Sequence, residues 1–121
     1  MKAYNPLLKI MFIITLVIIS CDVFSKNIWC SGKVSRIYID RMNSVIIYSS
    51  WRNEWTRMCS TDGADGASVV TCSHWVSFLT NSINEDKSVT VMYSNLNDSA
   101  ECDNLETYAN APAPSYIMYN K

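Results

Sequence analysis

The first 25 residues constrain the fold of this chain most, because they decide the compartment in which its cysteines are found. Lys2 and Lys9 precede a nearly unbroken apolar run over residues 10–19, and the segment ends in Val23-Phe24-Ser25. A basic start, an apolar run too short to span a membrane and a small-residue ending are typical of a secretory signal peptide. We therefore expect a signal peptide over residues 1–25 and folding in an oxidising compartment.

A second processing route fits the same segment. Ile18-Ile19-Ser20-Cys21 matches the pattern at which bacterial lipoproteins are cleaved, and Cys21 would then carry a lipid anchor. The placement of Val23 and Ser25 favours ordinary secretion, and so does the short polar stretch after Cys21. The lipoprotein route stays the alternative, and either route leaves four thiols for the folded chain.

Residues 26–121 predict a single small domain whose core alone gives marginal stability. In an exported chain of this size, four cysteines indicate two disulfides, with three possible connectivities. They stand at Cys30, Cys59, Cys72 and Cys102, and no two of them have C-x-x-C spacing. That spacing argues against a zinc site and against thioredoxin-like chemistry.

Charge excludes nucleic acid as the partner. Ten Lys and Arg residues are set against eleven Asp and Glu residues, for a formal net charge of −1, and no basic stretch is present. A nucleic-acid binder needs a concentrated basic surface. The part after the leader is instead rich in Ser, Asn, Thr, Tyr and Trp, which suit hydrogen bonding and stacking.

Short segments with alternating polarity follow the leader and predict an antiparallel meander. The three strands cover residues 29–40, 45–51 and 55–59, with turns at 41–44 and 52–54 and a β-bulge at Gly32. After a polar loop at 61–67 the period becomes helical, with the N-cap at Thr71 or Ser73 and the end at 84–87. The residues of its apolar face are Cys72, Trp75, Val76, Leu79 and Ile83.

Two further strands complete the order, at residues 88–93 and 116–119, on either side of a long polar stretch. Three strands, one helix and two strands is the order of a five-stranded OB barrel, in which a helix plugs one end. We therefore predict a β-rich α+β fold, a small OB-like barrel with its helix between strands 3 and 4. Another small α+β sheet with one covering helix is the alternative.

The predicted positions of the strands and the helix also indicate which cysteines form disulfides with each other. Cys59 ends the third strand and Cys72 opens the helix, so a Cys59–Cys72 disulfide would staple the helix start to the sheet. The loop-entropy model gives such a disulfide a value of about 3 kcal/mol. Cys30–Cys102 would then tie the first strand to the long polar stretch.

The stretch from Met58-Cys59 to Tyr93 resembles the B subunits of bacterial AB5-type toxins, above all the subtilase-cytotoxin type. The shared features are a cysteine, a short polar loop, Val69-Val70-Thr71-Cys72, a helix, and Lys87-Ser88-Val89-Thr90-Val91. The likeness covers about a third of the chain. It implies a secreted OB fold, a pentameric ring, a host-glycan receptor and an enzymatic A subunit as partner.

Candidate catalytic and metal-binding residues are few. His74 is the only histidine, it lies off the apolar face of the predicted helix, and no G-x-S-x-G nucleophile motif is present. Asp62 and Asp65 lack the ligand count of a calcium loop. We expect no catalytic residue, no metal and no cofactor.

Aromatic and polar side chains concentrate in the turn between the second and third strands. Trp51, Arg52, Asn53 and Trp55 combine two indoles with hydrogen-bond donors. Indole rings stack on the apolar faces of sugars, and a guanidinium pairs with a carboxylate. We predict that these four residues bind a glycan, although Trp51 also continues the face that is expected to be buried.

Three functions are compatible with the sequence. The first is a secreted, non-enzymatic glycan-binding module of the toxin B type, a homo-oligomer. The alternative is a monomeric periplasmic or lipid-anchored accessory protein of the cell envelope, such as an inhibitor or envelope factor. A third hypothesis is a small secreted hydrolase that uses His74.

Overall fold

The computed structural model describes residues 25–121. Cys21 and all of the predicted signal peptide except Ser25 lie outside these described residues. The elements follow the predicted order: β1 Lys26–Ile39, β2 Ser44–Ser49, β3 Glu54–Ser60, α1 Val69–Asn84, β4 Ser88–Leu96 and β5 Tyr116–Tyr119.

The five strands form one antiparallel sheet in the order β3-β2-β1-β4-β5. The long central strand β1 pairs with two neighbouring strands: its first half pairs with β4 and its second half with β2. The register shifts between Val34 and Arg36, where β1 changes partner. This arrangement bends the sheet around the core.

The β-bulge predicted at Gly32 is wrong, because Gly32 pairs in register with Val89. The glycine is needed for space instead. A Cβ atom at this position would lie 2.2 Å from the Ser50 hydroxyl oxygen and 3.2 Å from Cε3 of Trp51. Gly32 thus lets the turn after β2 fold closely over β1.

The sheet is open. Within residues 25–121 no ladder joins the two edge strands, β3 and β5. An isolated bridge between Thr56 and Tyr108 covers part of the β3 edge. The five-stranded antiparallel sheet with one helix between β3 and β4 is confirmed, whereas the closed barrel is not.

Helix α1 packs across the inner face of the sheet and contacts β1, β3, β4 and β5. Its buried residues include Cys72, Trp75 and Leu79, as the helical period predicted. The N-cap is Ser68 and neither Thr71 nor Ser73, since the Ser68 hydroxyl accepts from the Thr71 amide at 3.1 Å. The helix begins one turn earlier than predicted because Val69 and Val70 extend it into solvent.

Both predicted disulfides are present, Cys30–Cys102 and Cys59–Cys72. The first joins residues 72 positions apart and holds the segment between β4 and β5 against β1. Disulfides of this kind fit a protein of an oxidising compartment. No helix within residues 25–121 has the length and apolarity needed to cross a bilayer.

Candidate functional site

The structure separates the four residues predicted to bind a glycan. Trp51 packs against the core cluster and lies over Gly32, so most of its ring is unavailable. Arg52 donates from Nη1 to the carbonyl oxygen of Asp103 and thereby anchors the segment that follows β4. These two side chains have structural contacts.

Asn53 and Trp55 lie on the other side of the same turn. Asn53 has a φ of 50°, which an asparagine tolerates in a tight turn, and its carbonyl oxygen accepts from the Tyr48 hydroxyl at 3.1 Å. Trp55 is directly opposite Tyr48 in the β2–β3 ladder. Trp55 therefore belongs to the outer face of the sheet.

Three aromatic rings meet on that outer face. The Trp55 ring lies 5.1 Å from the Tyr38 ring and 5.4 Å from the Tyr48 ring, both edge-on, and the Arg36 guanidinium lies 5.8 Å from the centre of the Tyr48 ring. We call Arg36, Tyr38, Tyr48 and Trp55 the Trp55 cluster. Edge-on aromatic pairs and a cation over a ring are favourable contacts. The cluster is a rigid aromatic surface with one cation.

Tyr108 borders the Trp55 cluster. Its backbone amide donates to the carbonyl oxygen of Trp55 at 3.0 Å, and its side chain is 46% exposed. Desolvation raises the pKa of Tyr108, and the neighbouring Glu54 and Tyr38 raise it further. The phenol is therefore a neutral hydrogen-bonding group at any physiological pH.

A second aromatic surface lies on the outer face of β1, β4 and β5. Trp29 is opposite Met92, which is opposite Tyr116, and the next row runs from Ser31 through Thr90 to Met118. We call these six residues the Trp29 surface. The sequence predicted a strand at residues 116–119 but gave no pairing register, so the contact between Tyr116 and Trp29 could not be predicted.

The Trp29 ring is exposed and held in place. It is 55% exposed, and its Nε1 donates to the Tyr116 hydroxyl at 2.7 Å. Tyr116 is itself 41% exposed. Because this hydrogen bond fixes two rings side by side, a ligand would meet an ordered aromatic surface without first having to order it.

Hydroxyl and amide groups run beside these rings. The hydroxyls of Ser31 and Thr90 are hydrogen-bonded at 2.6 Å. The Asn120 side-chain amide donates to Thr90 Oγ1 at 3.0 Å and to Ser88 Oγ at 3.1 Å. The Trp29 surface itself carries no charged side chain, so it combines an apolar aromatic area with neutral hydrogen-bonding groups.

The residues considered as catalytic or metal-binding candidates lie on the surface or stabilise a loop. His74 is exposed on α1. The carboxylate of Asp62 accepts from the Ser60 hydroxyl at 2.6 Å and from the Ala64 amide at 3.0 Å, and these hydrogen bonds lower the pKa of Asp62. Asp62 therefore orders its loop. No group of three or more His, Cys, Asp or Glu side chains in the described part of the chain is placed to hold a metal ion.

Comparison with known proteins adds no relative. No protein-family model matches the chain, and no curated protein or solved structure matches it significantly. The fold and the two aromatic surfaces are therefore the features that bear on function.

Proposed function

We propose that this chain is a secreted, non-enzymatic glycan-binding module of the toxin B-subunit type. The observation that carries the proposal is the Trp29 surface, where an exposed indole is fixed by Tyr116 beside a row of hydroxyl groups. A sugar presents an apolar ring face and a rim of hydroxyls. Aromatic side chains and hydroxyl or amide groups are the matching partners for these two parts.

The strand order supports an OB-like architecture for the module. The helix follows β3, and β1 pairs with both β2 and β4, as in a partly open five-stranded barrel. The β5 edge, and the part of the β3 edge that the Thr56–Tyr108 bridge leaves uncovered, are surfaces on which strands of other chains can pair. We propose that copies of this chain assemble into a pentameric ring and that an enzymatic A subunit is the partner of that ring.

The hairpin residues are the second part of the proposed site. Trp55 and Asn53 are the members best placed to contact a ligand, because they lie on the outer face with Tyr38 and Tyr48. Trp51 and Arg52 would act indirectly, by holding the turn through Gly32 and Asp103. Arg36 is the cation of this surface.

A glycan array with the full, disulfide-intact protein tests the proposal. We expect Trp29→Ala to abolish binding of the preferred glycan and Trp55→Ala to weaken it. Phe78→Ala is the matched control, since Phe78 is a 40% exposed aromatic residue on α1. Retained binding in both Trp29→Ala and Trp55→Ala would refute glycan recognition by these surfaces.

The alternative, a monomeric lipid-anchored envelope protein, rests on the Ile18-Ile19-Ser20-Cys21 pattern. Native mass spectrometry of the protein exported with its own leader separates the two functions. Five chains that begin at Lys26 and contain two disulfides would support the toxin-subunit proposal. A monomer that begins at an acylated Cys21 would replace it with the envelope protein.

A further inference from the structure

The segment between β4 and β5 folds around a cavity of about 300 Å³, at the lower end of the volumes of small-molecule sites. Leu105 and Ala100 are buried at its floor, and most of the remaining lining is polar. We call it the loop pocket. Its lining residues are Leu96, Asn97, Ser99, Ala100, Asn104, Leu105, Glu106, Asn110 and Pro112.

Side-chain hydrogen bonds hold the wall of the loop pocket. Asn104 accepts from the Glu101 amide at 2.8 Å and donates to the Ser99 carbonyl oxygen at 3.0 Å. Asn97 accepts from the Ser99 hydroxyl at 2.9 Å. Within residues 25–121 three lining groups have no hydrogen-bond partner: the exposed Glu106 carboxylate, the exposed Asn110 amide and the side-chain NH2 of Asn97.

The same segment is fastened to the sheet at three points. Cys102 is bonded to Cys30 on β1. Lys26 Nζ donates to the carbonyl oxygen of Ala100 at 3.0 Å and to the Glu101 carboxylate at 2.7 Å. Arg52 donates to the Asp103 carbonyl oxygen. A pocket that is anchored so firmly is largely formed before a ligand arrives, which lowers the cost of binding.

Charge defines which ligands the loop pocket can accept. Asp98, Glu101, Asp103 and Glu106 all lie in this segment. Of these four carboxylates, only Glu101 forms a salt bridge within residues 25–121. No cationic side chain lines the pocket. A carboxylated or sulfated ligand would be repelled, whereas an ammonium group would be attracted to Glu106.

We propose that the loop pocket is a second saccharide-binding site that takes an amine-bearing or neutral sugar and rejects acidic sugars. The proposal rests on the glycan-binding function but on different residues from the Trp29 surface. Glu106 accepts hydrogen bonds from the ammonium or hydroxyl groups of the sugar, and Asn110 bonds its hydroxyls with both amide atoms. The sugar ring packs on Leu105.

Saturation-transfer NMR with three monosaccharides of one ring shape tests this site. Glucosamine, glucose and glucuronate differ in charge, and we expect binding to the intact protein to fall in that order, with no signal from glucuronate. Glu106→Gln should weaken glucosamine about fivefold and bring it level with glucose, the effect of one unit charge near a solvated surface. Asn110→Ala should weaken both sugars.

Two control variants test whether the monosaccharides bind in the loop pocket. Asp103→Asn removes one charge from the same segment outside the pocket lining and should preserve the order of the three sugars. Trp29→Ala should leave the monosaccharide signals unchanged even where it abolishes binding on the array. If glucuronate binds as well as glucosamine, or if neither Glu106→Gln nor Asn110→Ala weakens binding, the loop pocket is not a sugar site. Loss of the monosaccharide signals in Trp29→Ala would also overturn the proposal for the loop pocket, because the sugars would then occupy the Trp29 surface.

Discussion

The indole nitrogen of Trp29 donates a hydrogen bond to the hydroxyl oxygen of Tyr116 at 2.7 Å, although 87 positions separate the two residues. The strand β4 lies between them, and its residue Met92 is opposite both Trp29 and Tyr116 in the sheet. This contact turns two exposed rings into one ordered surface. It is the structural basis of the proposed glycan site.

Tyr116→Phe should therefore weaken glycan binding without unfolding the protein. The phenyl ring keeps the apolar contact but cannot accept from the indole, so Trp29 must be ordered by the ligand. A lost hydrogen bond of about 1 kcal/mol corresponds to roughly a fivefold weaker affinity. Isothermal titration with the glycan selected on the array measures the change. Tyr119→Phe is the matched control, because it also removes an exposed phenol hydrogen bond, to Glu85, but lies outside the Trp29 surface. An unchanged affinity would mean that the hydrogen bond does not position Trp29 for the ligand.

The two disulfides should differ in their contribution to stability. Loop entropy predicts a loss of about 3 kcal/mol for the Cys59→Ala, Cys72→Ala double variant, whose loop spans 13 positions. The Cys30→Ala, Cys102→Ala double variant opens a loop of 72 positions and should lose about 4 kcal/mol. Urea unfolding of both variants gives the comparison. The reverse order would show that packing around α1 outweighs chain entropy.

Lys26 should control the order of the segment after β4. Its ammonium group bonds Ala100 and Glu101, so Lys26→Met should loosen this segment and expose it to proteolysis. Limited digestion followed by mass spectrometry should place the new cleavages between residues 97 and 112. Lys33→Met is the control, because it removes a similar surface ion pair with Asp86. Equal digestion of the two variants would rule out a special role for Lys26.

Ionisation of Tyr93 should lower the free energy of unfolding at alkaline pH. Burial raises the pKa of Tyr93 from 10.0 to about 12, with a small opposing effect of the Thr56 hydroxyl. The raised pKa means that the neutral phenol favours the folded state fully below pH 10. This contribution is lost as the pH rises from 10 to 12, and it amounts to roughly 2 to 3 kcal/mol.

Urea unfolding between pH 9 and pH 12 measures that loss. Tyr93→Phe should flatten the decline, because phenylalanine has no proton to release. Tyr38→Phe, a change at an exposed tyrosine, should leave it intact. A decline that is equally steep in all three proteins would assign it to other groups.

Much of the fold was accessible from the sequence, since it depends on local patterns. Alternating segments located the strands, and the spacing of Cys72, Trp75 and Leu79 located the helix. The boundaries were less accurate. β1 starts at Lys26, three residues before the predicted start, because its first residues pair with the far end of β4. That pairing is a long-range contact with no local signal.

The candidate site was only partly accessible for the same reason. The turn at residues 51–55 is contiguous, and its aromatic content was visible as a cluster in the sequence. The chain there reverses direction, however, so Trp51 packs against the core, whereas the half-buried Trp55 packs against Tyr38 and Tyr48. The partners of Trp55, which are Arg36, Tyr38 and Tyr48, come from β1 and β2 and are brought together by register alone.

The sequence by itself determined the element order and the four thiols of the folded part. It favoured one of the three possible disulfide pairings, because Cys59 and Cys72 stand at the ends of adjacent elements. The tertiary structure decided which aromatic residues share a surface, that the sheet stays open between β3 and β5, and that Arg52 anchors the segment around the loop pocket. These features depend on strand register and on contacts across the whole chain. A shift of one residue in register would turn Trp29 inward. The alternation within each strand shows which side chains share a face, but the partner of each residue on the neighbouring strand appears only in the folded sheet.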